Sequence, residues 1–580
     1  MSSYKFIWKY LKEYKYSYLI GLGFVMVTSV INMVNPFLSG TVVDRVIYNK
    51  ETNVLIPIVI IMISVVLVKN IIRYKYQMVF EVISQKIILS IRGDLYEKLL
   101  ALDFGYYNKT RTGDIMARMT GDTDAIRHFI AWVIYNIVDN VCIFIFAIIS
   151  MSYINLKLTI FMVAICPFIA YFTLKMSNKI SPTFTNVREA YSKLNSIVQE
   201  NISGNRVVKA FAKENYEIEK FEVENKNYRD KNLDSVMITK KYIPILEYLA
   251  NFLTVIMILV GGILVINKSM TISELVVFNG LLWALNNPMR MAGYLINDTQ
   301  RFITSTIKII ELLEEEAKIA PKENSIHINN IKGNICFDNV SFKYEKEAAL
   351  KNISFNVHEG QTVGIIGHTG SGKSTLVNLI CRFYDTSSGS IYIDGVDIRD
   401  LELRNLRQSI GVAMQDIFLF SDTIEGNIAY GVPRASIEEV RNIATVAEAH
   451  EFITDMSDGY DTVVGERGVG LSGGQRQRIS LARALIKDPS ILILDDTTSA
   501  VDMETEFKIQ KEVNSDSRKR TSFIIAHRIS SVKSADLILV LENGEIIERG
   551  NHESLMKNKG YYYNVYRNQF GNFDFEKDVV

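Results

Sequence analysis

The sequence predicts an all-α membrane domain of six helices followed by an α/β domain. A chain of 580 residues is too long for one hydrophobic core, so at least two domains are expected. Long uncharged runs are concentrated before residue 318, whereas short apolar stretches alternate with charged ones after residue 332. We therefore predict a membrane domain at 1–318, a linker at 319–331 and a second domain at 332–575.

Charge and cysteine content exclude several classes of function. The chain has 64 basic and 64 acidic residues, so its charge balance gives no reason to expect a nucleic-acid partner. The four cysteines are far apart and lack the spacing of a zinc site or a disulfide framework. We expect them to be apolar fillers. They are Cys142, Cys166, Cys336 and Cys381.

Six apolar stretches are long enough to be membrane spans, because crossing the hydrocarbon layer as a helix takes about 20 residues. Buried helices of a large soluble protein are the alternative, but so many such stretches within one half of the chain favour the membrane. The first run is too long for a removable signal peptide and lacks its cleavage site. The predicted spans lie at about 16–43, 52–76, 129–156, 158–178, 243–267 and 273–297.

The distribution of basic residues predicts the orientation of these spans. The connections after spans one, three and five are short and contain few cations, whereas the N-terminal segment and the connections after spans two and four are long and rich in Lys and Arg. Cationic loops stay in the cytosol, so both termini are expected there. The stretch from Lys69 to Phe104 would measure roughly 50 Å as a helix and must project into the cytosol.

The second domain contains a phosphate-binding loop in the context that such a loop requires. The short apolar strand at 363–366 enters the loop, and a helical pattern follows it. Glycines let backbone N–H groups converge on phosphate oxygens, Lys373 reaches the terminal phosphates, and Ser374 offers a hydroxyl to Mg²⁺. The loop reads Gly367, His368, Thr369, Gly370, Ser371, Gly372, Lys373, Ser374 and Thr375. ATP and Mg²⁺ are the predicted ligands.

Two later segments extend this prediction. The apolar strand 491–494 ends at Asp495, which is placed to hold the magnesium; a turn-capping acid is the alternative. A helix begins with a second glycine-rich segment, which is suited to bind another anion. That segment reads Leu471, Ser472, Gly473, Gly474 and Gln475.

The segment 471–475 closely resembles the signature sequence of ABC ATPases, and with the phosphate loop it identifies the second domain as similar to a P-loop ABC ATPase. The resemblance implies an α-helical signature subdomain and a head-to-tail dimer in which each signature faces the partner's ATP. Residues 106–114 and 201–211 look like the two intracellular loops of bacterial ABC exporters that press on the ATPase domains. Solvated hairpin ends are the alternative for these two turns.

Further site residues follow from the resemblance one at a time. Tyr344 looks like the aromatic residue that stacks on adenine. Gln415 resembles the glutamine that contacts magnesium and the attacking water, and His527 the switch histidine that senses the γ-phosphate. Asp502, in Ser-Ala-Val-Asp, resembles part of the loop that crosses the dimer interface, and 462–468 a segment that touches the intracellular loops. A lone histidine at a strand end would otherwise be structural.

Asp496 departs from the family pattern, which has glutamate as the acid that acts on the attacking water. Aspartate is one methylene shorter, and a displacement of about 1 Å can cost roughly 10²-fold in rate. A backbone shift or an extra water could compensate. We predict instead the weakly hydrolysing half of a heterodimer, with a partner that has glutamate at this position. A symmetric homodimer and an ATP-gated channel or regulatory subunit remain alternatives.

The transported substrate is the least determined feature. Polar residues at membrane depth face either a cavity or a neighbouring helix, and hydrogen bonding between helices explains the asparagines equally well. Resemblance to bacterial multidrug exporters implies amphiphilic drugs or lipids. The residues concerned are Asn32, Asn35, Asp139, Asn251, Asn279, Asn286, Asn287, Arg290 and Asp298.

Overall fold

The computed structural model describes residues 2–320, 322, 324–345, 347–465, 468–497, 503–515 and 520–571. The chain divides into two compact units. The first comprises Met1–Leu100 and Thr110–Glu316, and the second Ala101–Lys109 and Ala317–Val580. The division at residue 316 lies close to the predicted boundary at 318, but the short segment Ala101–Lys109 groups with the second unit, which the sequence did not predict.

The first unit is entirely helical in the described residues, as the fold class predicted. Its backbone groups are paired within helices, which apolar surroundings require. Helix α4 alone has 47 residues and continues far beyond the predicted end of the second span at 76. The helices are α1 Ser3–Leu11, α2 Lys15–Ile31, α3 Val34–Val42, α4 Leu55–Ala101, α5 Phe104–Lys109, α6 Thr112–Ala117, α7 Thr123–His128, α8 Ile134–Ile154, α9 Leu156–Val163, α10 Cys166–Ser203, α11 Asn205–Ala210, α12 Glu214–Ile266 and α13 Ile272–Glu314, of which α5 belongs to the second unit.

Five helical segments of the described chain are long and apolar enough to cross a membrane. The sixth predicted span falls on α13, a continuous helix whose N-terminus is fixed by a capping box between Thr271 and Glu274. The fully buried Phe278 and Leu281 of α13 pack in a cluster with α8 and α12. The count of six spans therefore stays a prediction. The five segments are Ser3–Tyr48, Thr52–Ala101, Thr112–Ile154, Leu156–Ser203 and Glu214–Ile266.

The second unit is built on two sheets. A four-stranded sheet has the order β2-β1-β4-β5, and a six-stranded sheet has the order β10-β9-β3-β8-β7-β6. Strands β9, β3, β8, β7 and β6 run parallel to one another, and the edge strand β10 runs antiparallel to β9. The strands are β1 Ile335–Tyr344, β2 Glu347–Val357, β3 Thr362–Gly367, β4 Ser388–Ile393, β5 Val396–Asp397, β6 Ile410–Ala413, β7 Ile491–Asp495, β8 Thr521–Ile525, β9 Leu537–Glu542 and β10 Glu545–Gly550.

Helices cover the parallel sheet, which is why its central strands are continuous apolar runs. All five residues of β7 are buried. A second hydrophobic cluster, which includes the fully buried Ile479 and Val440, packs the helices of the predicted signature subdomain together and against β6 and β7. The helices are α14 Lys373–Ile380, α15 Leu403–Gln408, α16 Ile424–Ala429, α17 Ile437–Val446, α18 His450–Thr454, α19 Gly473–Leu485, α20 Met503–Ser515, α21 His552–Asn558 and α22 Tyr561–Phe570.

Candidate functional site

Four neighbouring parallel strands carry predicted site residues at their carboxyl ends. The phosphate loop follows β3, Gln415 follows β6, Asp495 ends β7 and His527 follows β8. Carboxyl ends of parallel strands meet at one edge of a sheet, where α/β proteins bind their ligands. A cavity of about 1480 Å³ at this edge is lined by Lys373 together with Gln415, Asp495 and His527. The sheet thus brings together residues that are far apart in the sequence.

The phosphate loop has a conformation that only its glycines permit. Gly372 has φ +100°, and a Cβ on it would lie 2.6 Å from the carbonyl oxygen of Ala349. The Lys373 ammonium donates to the carbonyl oxygens of Gly367 and His368 at 2.9 and 2.8 Å, so it folds back over the loop. The buried hydroxyl of Ser371 has no hydrogen-bond partner among the described residues. A phosphate group fits this cradle of donors.

Burial shapes the charges at the magnesium end of the site. It raises the pKa of the Asp495 carboxyl above its ordinary value, although a hydrogen bond from Ser374 acts in the opposite direction. Burial also lowers the pKa of Lys373, which the carboxylates of Asp495 and Asp496 counteract. Charges in such partly desolvated surroundings interact more strongly with phosphate than they would in water.

The described residues hold no cluster of three or more His, Cys, Asp or Glu side chains that could bind a metal ion. Magnesium commonly needs only one or two protein oxygens when phosphates supply the rest. Ser374, which is hydrogen-bonded to Asp495, and Gln415 line the same cavity, so the predicted oxygen donors are available to such an ion.

The backbone of Asp496 is fixed on both sides. Its N–H donates to the carbonyl oxygen of Ile525 at 3.0 Å, and its own carbonyl accepts from Nε2 of Gln477 at 3.3 Å. Its φ of +50° lies in the left-handed region. Gln477 is buried on α19 and was not predicted from the sequence. A shift of this backbone would disrupt two hydrogen bonds.

The other end of the cavity is aromatic. Tyr344 ends β1, and its hydroxyl donates to Oγ1 of Thr375 in the phosphate loop at 3.4 Å. The ring of Tyr384 meets that of Tyr344 edge-on, with 5.3 Å between ring centroids. Both aromatic residues line the cavity, so a nucleotide base has a ring surface within reach of the phosphate loop. Tyr384 was missed because the sequence around it, Arg-Phe-Tyr-Asp, carries no distinctive motif.

The signature segment begins helix α19 with a capping box. The Ser472 hydroxyl accepts from the Gln475 N–H at 3.2 Å, and the Ser472 N–H donates to Oε1 of Gln475 at 2.8 Å. The spacing Ser-x-x-Gln could have predicted this cap. Ser472 is exposed, and residues 471–475 are not among those lining the cavity. Within one chain, the two glycine-rich segments are therefore not parts of one site.

Some predicted positions lie outside the described residues. They are Asp502 with the preceding 499–501, and Glu466 and Arg467 within 462–468. Of the latter segment, residues 462–465 and Gly468 are described, and Val463 is 71% exposed.

The short helix α5 contributes to the same cavity. The ring of Phe104 lies 4.6 Å from that of Phe383, and Nδ2 of Asn108 donates to the Tyr384 hydroxyl at 2.8 Å. Lys109 forms an ion pair of 3.0 Å with Glu345. The predicted turn 106–114 includes Asn108 and Lys109, whereas Phe104 lies outside it and was not predicted. An aromatic next to a glycine, Phe104-Gly105, was the available signal.

Two of the polar residues predicted at membrane depth have a side-chain partner on another helix. Oδ2 of Asp298 on α13 lies 3.3 Å from Nε2 of His128 on α7. Oδ1 of Asp139 on α8 accepts from the Ser29 hydroxyl on α2 at 2.7 Å. Hydrogen bonding between helices therefore explains Asp139 in this chain. By contrast, the buried Oδ1 atoms of Asn35, Asn140 and Asn286 have no hydrogen-bond partner among the described residues.

Comparison with known proteins gives consistent matches over both units. The family described as ABC transporter transmembrane region matches residues 18–289, and the family described as ABC transporter matches 350–499. The Bacillus subtilis (strain 168) ABC transporter ATP-binding protein YknU is 38% identical over 567 residues, covering 97% of this chain and 96% of that protein. An ATP-dependent lipid A-core flippase of Syntrophus aciditrophicus (strain SB) is 35% identical over 545 residues, covering 94% and 90%.

A solved structure is similar over nearly the whole length. The chain superimposes on a bacterial Atm1-family ABC exporter with ATP bound, with a TM-score of 0.83 and 27% sequence identity. The match covers 96% of this chain and 99% of that one. The helical unit and the α/β unit thus occur together in that exporter.

Proposed function

The chain belongs to the ABC transporter family, and from that premise we propose that it is one half of a dimeric exporter of amphiphilic small molecules, drugs or lipids. Its ATPase activity is coupled to their movement across the cytoplasmic membrane. The observation that carries the proposal is the cavity at which Lys373, Gln415, Asp495 and His527 meet. The described residues of the same chain also include five long apolar helical segments. We place both termini in the cytosol and the sixth span on α13.

The substrate class rests on the relatives and on the helical unit. One protein similar to this chain along most of its length is a lipid A-core flippase. Unpartnered buried amide oxygens on helices α3, α8 and α13 would offer polar contacts to a substrate with an apolar body and a polar head. An amphiphile satisfies both requirements.

Hydrolysis follows from the roles of the side chains at the strand ends. Lys373 and the loop N–H groups would hold the phosphates, and Ser374, Gln415 and Asp495 would hold Mg²⁺, which would neutralise phosphate charge. Gln415 orients the attacking water, Asp496 accepts its proton, and His527 donates to the γ-phosphate. ATP sandwiched between two ATPase domains draws them together only if it binds that closed state more tightly.

Asp496 makes this site the weaker of two. The shorter carboxylate reaches less far toward the water, and the hydrogen bonds to Ile525 and Gln477 oppose a compensating backbone shift. The segment Leu471–Gln475 is intact and exposed at Ser472, so it is suited to complete the site of a partner. We therefore propose a heterodimer with a second half-transporter that has glutamate at the position of Asp496.

The test compares Asp496→Glu with wild type in the purified full-length chain reconstituted in lipid. Wild-type protein alone should hydrolyse MgATP slowly, and the longer side chain should raise kcat by on the order of 10²-fold if reach is the defect. Asp496→Asn, which keeps the size and removes the charge, should not raise it. Transport is measured as ATP-dependent uptake of a fluorescent amphiphile into inside-out vesicles containing the chain and its partner.

Two outcomes would contradict the proposal at different levels. Rapid hydrolysis by the wild-type chain alone would indicate a homodimer with two equal sites. Absence of ATP-dependent uptake against a gradient, with hydrolysis intact, would instead favour an ATP-gated channel.

A further inference from the structure

The turn that carries His527 is held by the last described helix of the chain. Nε2 of Gln569 donates to the carbonyl oxygen of His527 at 2.8 Å. Oε1 of the same side chain accepts from the N–H of Ile529, also at 2.8 Å. One carboxamide therefore bridges two backbone groups that flank the turn.

These backbone groups lie outside β8, which ends at Ile525, so the sheet does not satisfy them. Backbone donors and acceptors that leave a sheet still need partners, and a bidentate side chain can define the path of the turn. Ile529 is only 1% exposed, so its N–H is withdrawn from solvent. The carboxamide of Gln569 thus supplies the hydrogen-bond partners that the sheet no longer provides after Ile525.

The opposite side of the turn is held by α20. The Ser531 hydroxyl donates to the carboxylate of Glu506, which is 3% exposed, and Arg528 pairs with the same carboxylate at 3.8 Å. Nε2 of Gln510 donates to the Ser531 carbonyl at 3.3 Å. His527 accordingly lies at the end of a turn that is anchored from two helices.

Helix α22 has its own anchors and does not depend on Gln569 for its place. Tyr562 is fully buried, and its hydroxyl lies 2.7 Å from Nδ1 of His552. The N–H of Tyr562 donates to Glu548 of β10 at 3.1 Å. At the start of the helix, Tyr561 lies edge-on against His368 of the phosphate loop, with 5.2 Å between ring centroids. Truncating Gln569 should leave the helix docked.

We propose that Gln569 is a positioning residue for His527: its carboxamide fixes the backbone at 527 and 529 so that the imidazole faces the γ-phosphate. The role rests on the proposed function, in which this site hydrolyses ATP. Because α22 also touches the phosphate loop through Tyr561, this helix contacts the segments that follow two neighbouring strands, β3 and β8. Gln569 itself is not among the residues that line the cavity.

The first experiment measures MgATP hydrolysis by the reconstituted full-length chain. Gln569→Ala should lower kcat about tenfold with KM for MgATP changed less than about twofold, because loss of orientation affects the reacting geometry more than nucleotide binding. Asn568→Ala is the matched control, since it removes an exposed amide from the same helix, and it should leave both parameters unchanged. Gln569→Glu keeps the bond from Ile529 alone and should give an intermediate kcat.

A double-mutant cycle separates positioning from a general structural role. If Gln569 acts through His527, adding Gln569→Ala to His527→Ala should cause less than about a twofold further loss. An independent loss of the same size as in the wild-type background would overturn the proposal. So would an unchanged kcat in Gln569→Ala.

A second measurement does not need hydrolysis. Hydrogen exchange of the peptide containing 527–531 should be faster in Gln569→Ala than in wild type or Asn568→Ala, and MgATP should protect it less. Unchanged exchange would overturn the proposal even in a chain too slow to assay. A wild-type chain that neither binds nor hydrolyses MgATP would contradict the proposed function. If Gln569→Ala changes the exchange rate but lowers kcat equally with and without His527, only the positioning role is contradicted.

Discussion

The two turns predicted to lie in the cytosol, at 106–114 and 201–211, have similar predicted roles, but they differ in their contacts within the chain. Helix α5, in the first turn, groups with the ATPase unit and contacts its aromatic residues. Helix α11, in the second turn, stays with the first unit, and the nearby Val207 and Phe211 are 60% and 70% exposed. The first turn is completed within one chain, and the second presents apolar side chains suited to a partner.

The largest expected effect comes from Phe104, the aromatic contact of the first turn. Phe104→Ala removes the ring pair with Phe383. Aromatic pairs contribute about 0.5–1.5 kcal/mol of stability beyond the effect of the area they bury. We expect amphiphile uptake to fall by roughly tenfold while ATP hydrolysis continues, because the turn loosens from the ATPase unit. Phe104→Tyr keeps the ring and should retain uptake. Equal uptake in both variants would show that the aromatic contact of Phe104 does not distinguish the first turn from the second.

A smaller effect is expected at Phe211, and only in the assembled dimer. Phe211→Ala should leave the thermal unfolding midpoint of the isolated chain unchanged, because an exposed ring contributes little to its stability. In the dimer, uptake should fall about fivefold if a partner covers the ring. Tyr216→Ala, at a similarly exposed aromatic on α12, is the control. A lower midpoint in the isolated chain would show that Phe211 is already packed there.

The hydrogen bond between Asn108 and Tyr384 should contribute less. Its net value is about 0.5–1.5 kcal/mol, and Tyr384 in turn contacts Tyr344. Asn108→Ala and Tyr384→Phe should each raise KM for MgATP about threefold, and the double variant should resemble either single one. Additive effects would show that the first turn does not act on the nucleotide site through this bond.

The ion pair between Lys109 and Glu345 should matter least. Both side chains are more than half exposed, and such pairs are worth about 0–1 kcal/mol. Lys109→Glu should lower uptake less than about twofold at low salt, Glu345→Lys combined with it should restore uptake, and high salt should abolish the difference. A tenfold loss would mean that charge, and not aromatic packing, holds the first turn.

The sequence predicts site residues at the strand ends, because a phosphate-binding site would restrict both the residue types and their order. Lys373, Asp495 and His527 each follow a short apolar strand, and the structure lines one cavity with them. Gln569 could not be predicted in this way. It lies 42 residues from His527, and a glutamine on an amphipathic helix has no pattern of its own.

The unit boundaries show a second limit of sequence reasoning. A hydrophobic pattern indicates whether a segment lies in the membrane or in water, but it does not indicate which domain a residue packs against. Phe104 and Asn108 follow a 47-residue helix of the membrane half, and only the contacts with Phe383 and Tyr384 place them in the ATPase unit. Asp502, predicted to cross the dimer interface, lies outside the described residues and stays a prediction.

The ATPase unit of this protein is therefore made from two pieces of chain. An ATPase domain expressed alone from Ala317 would lack Ala101–Lys109, and Phe383 and Tyr384 would lose their covering side chains. Such a fragment should self-associate through the bared aromatic patch. Joining the nine missing residues to this fragment through a short linker should give a soluble monomer.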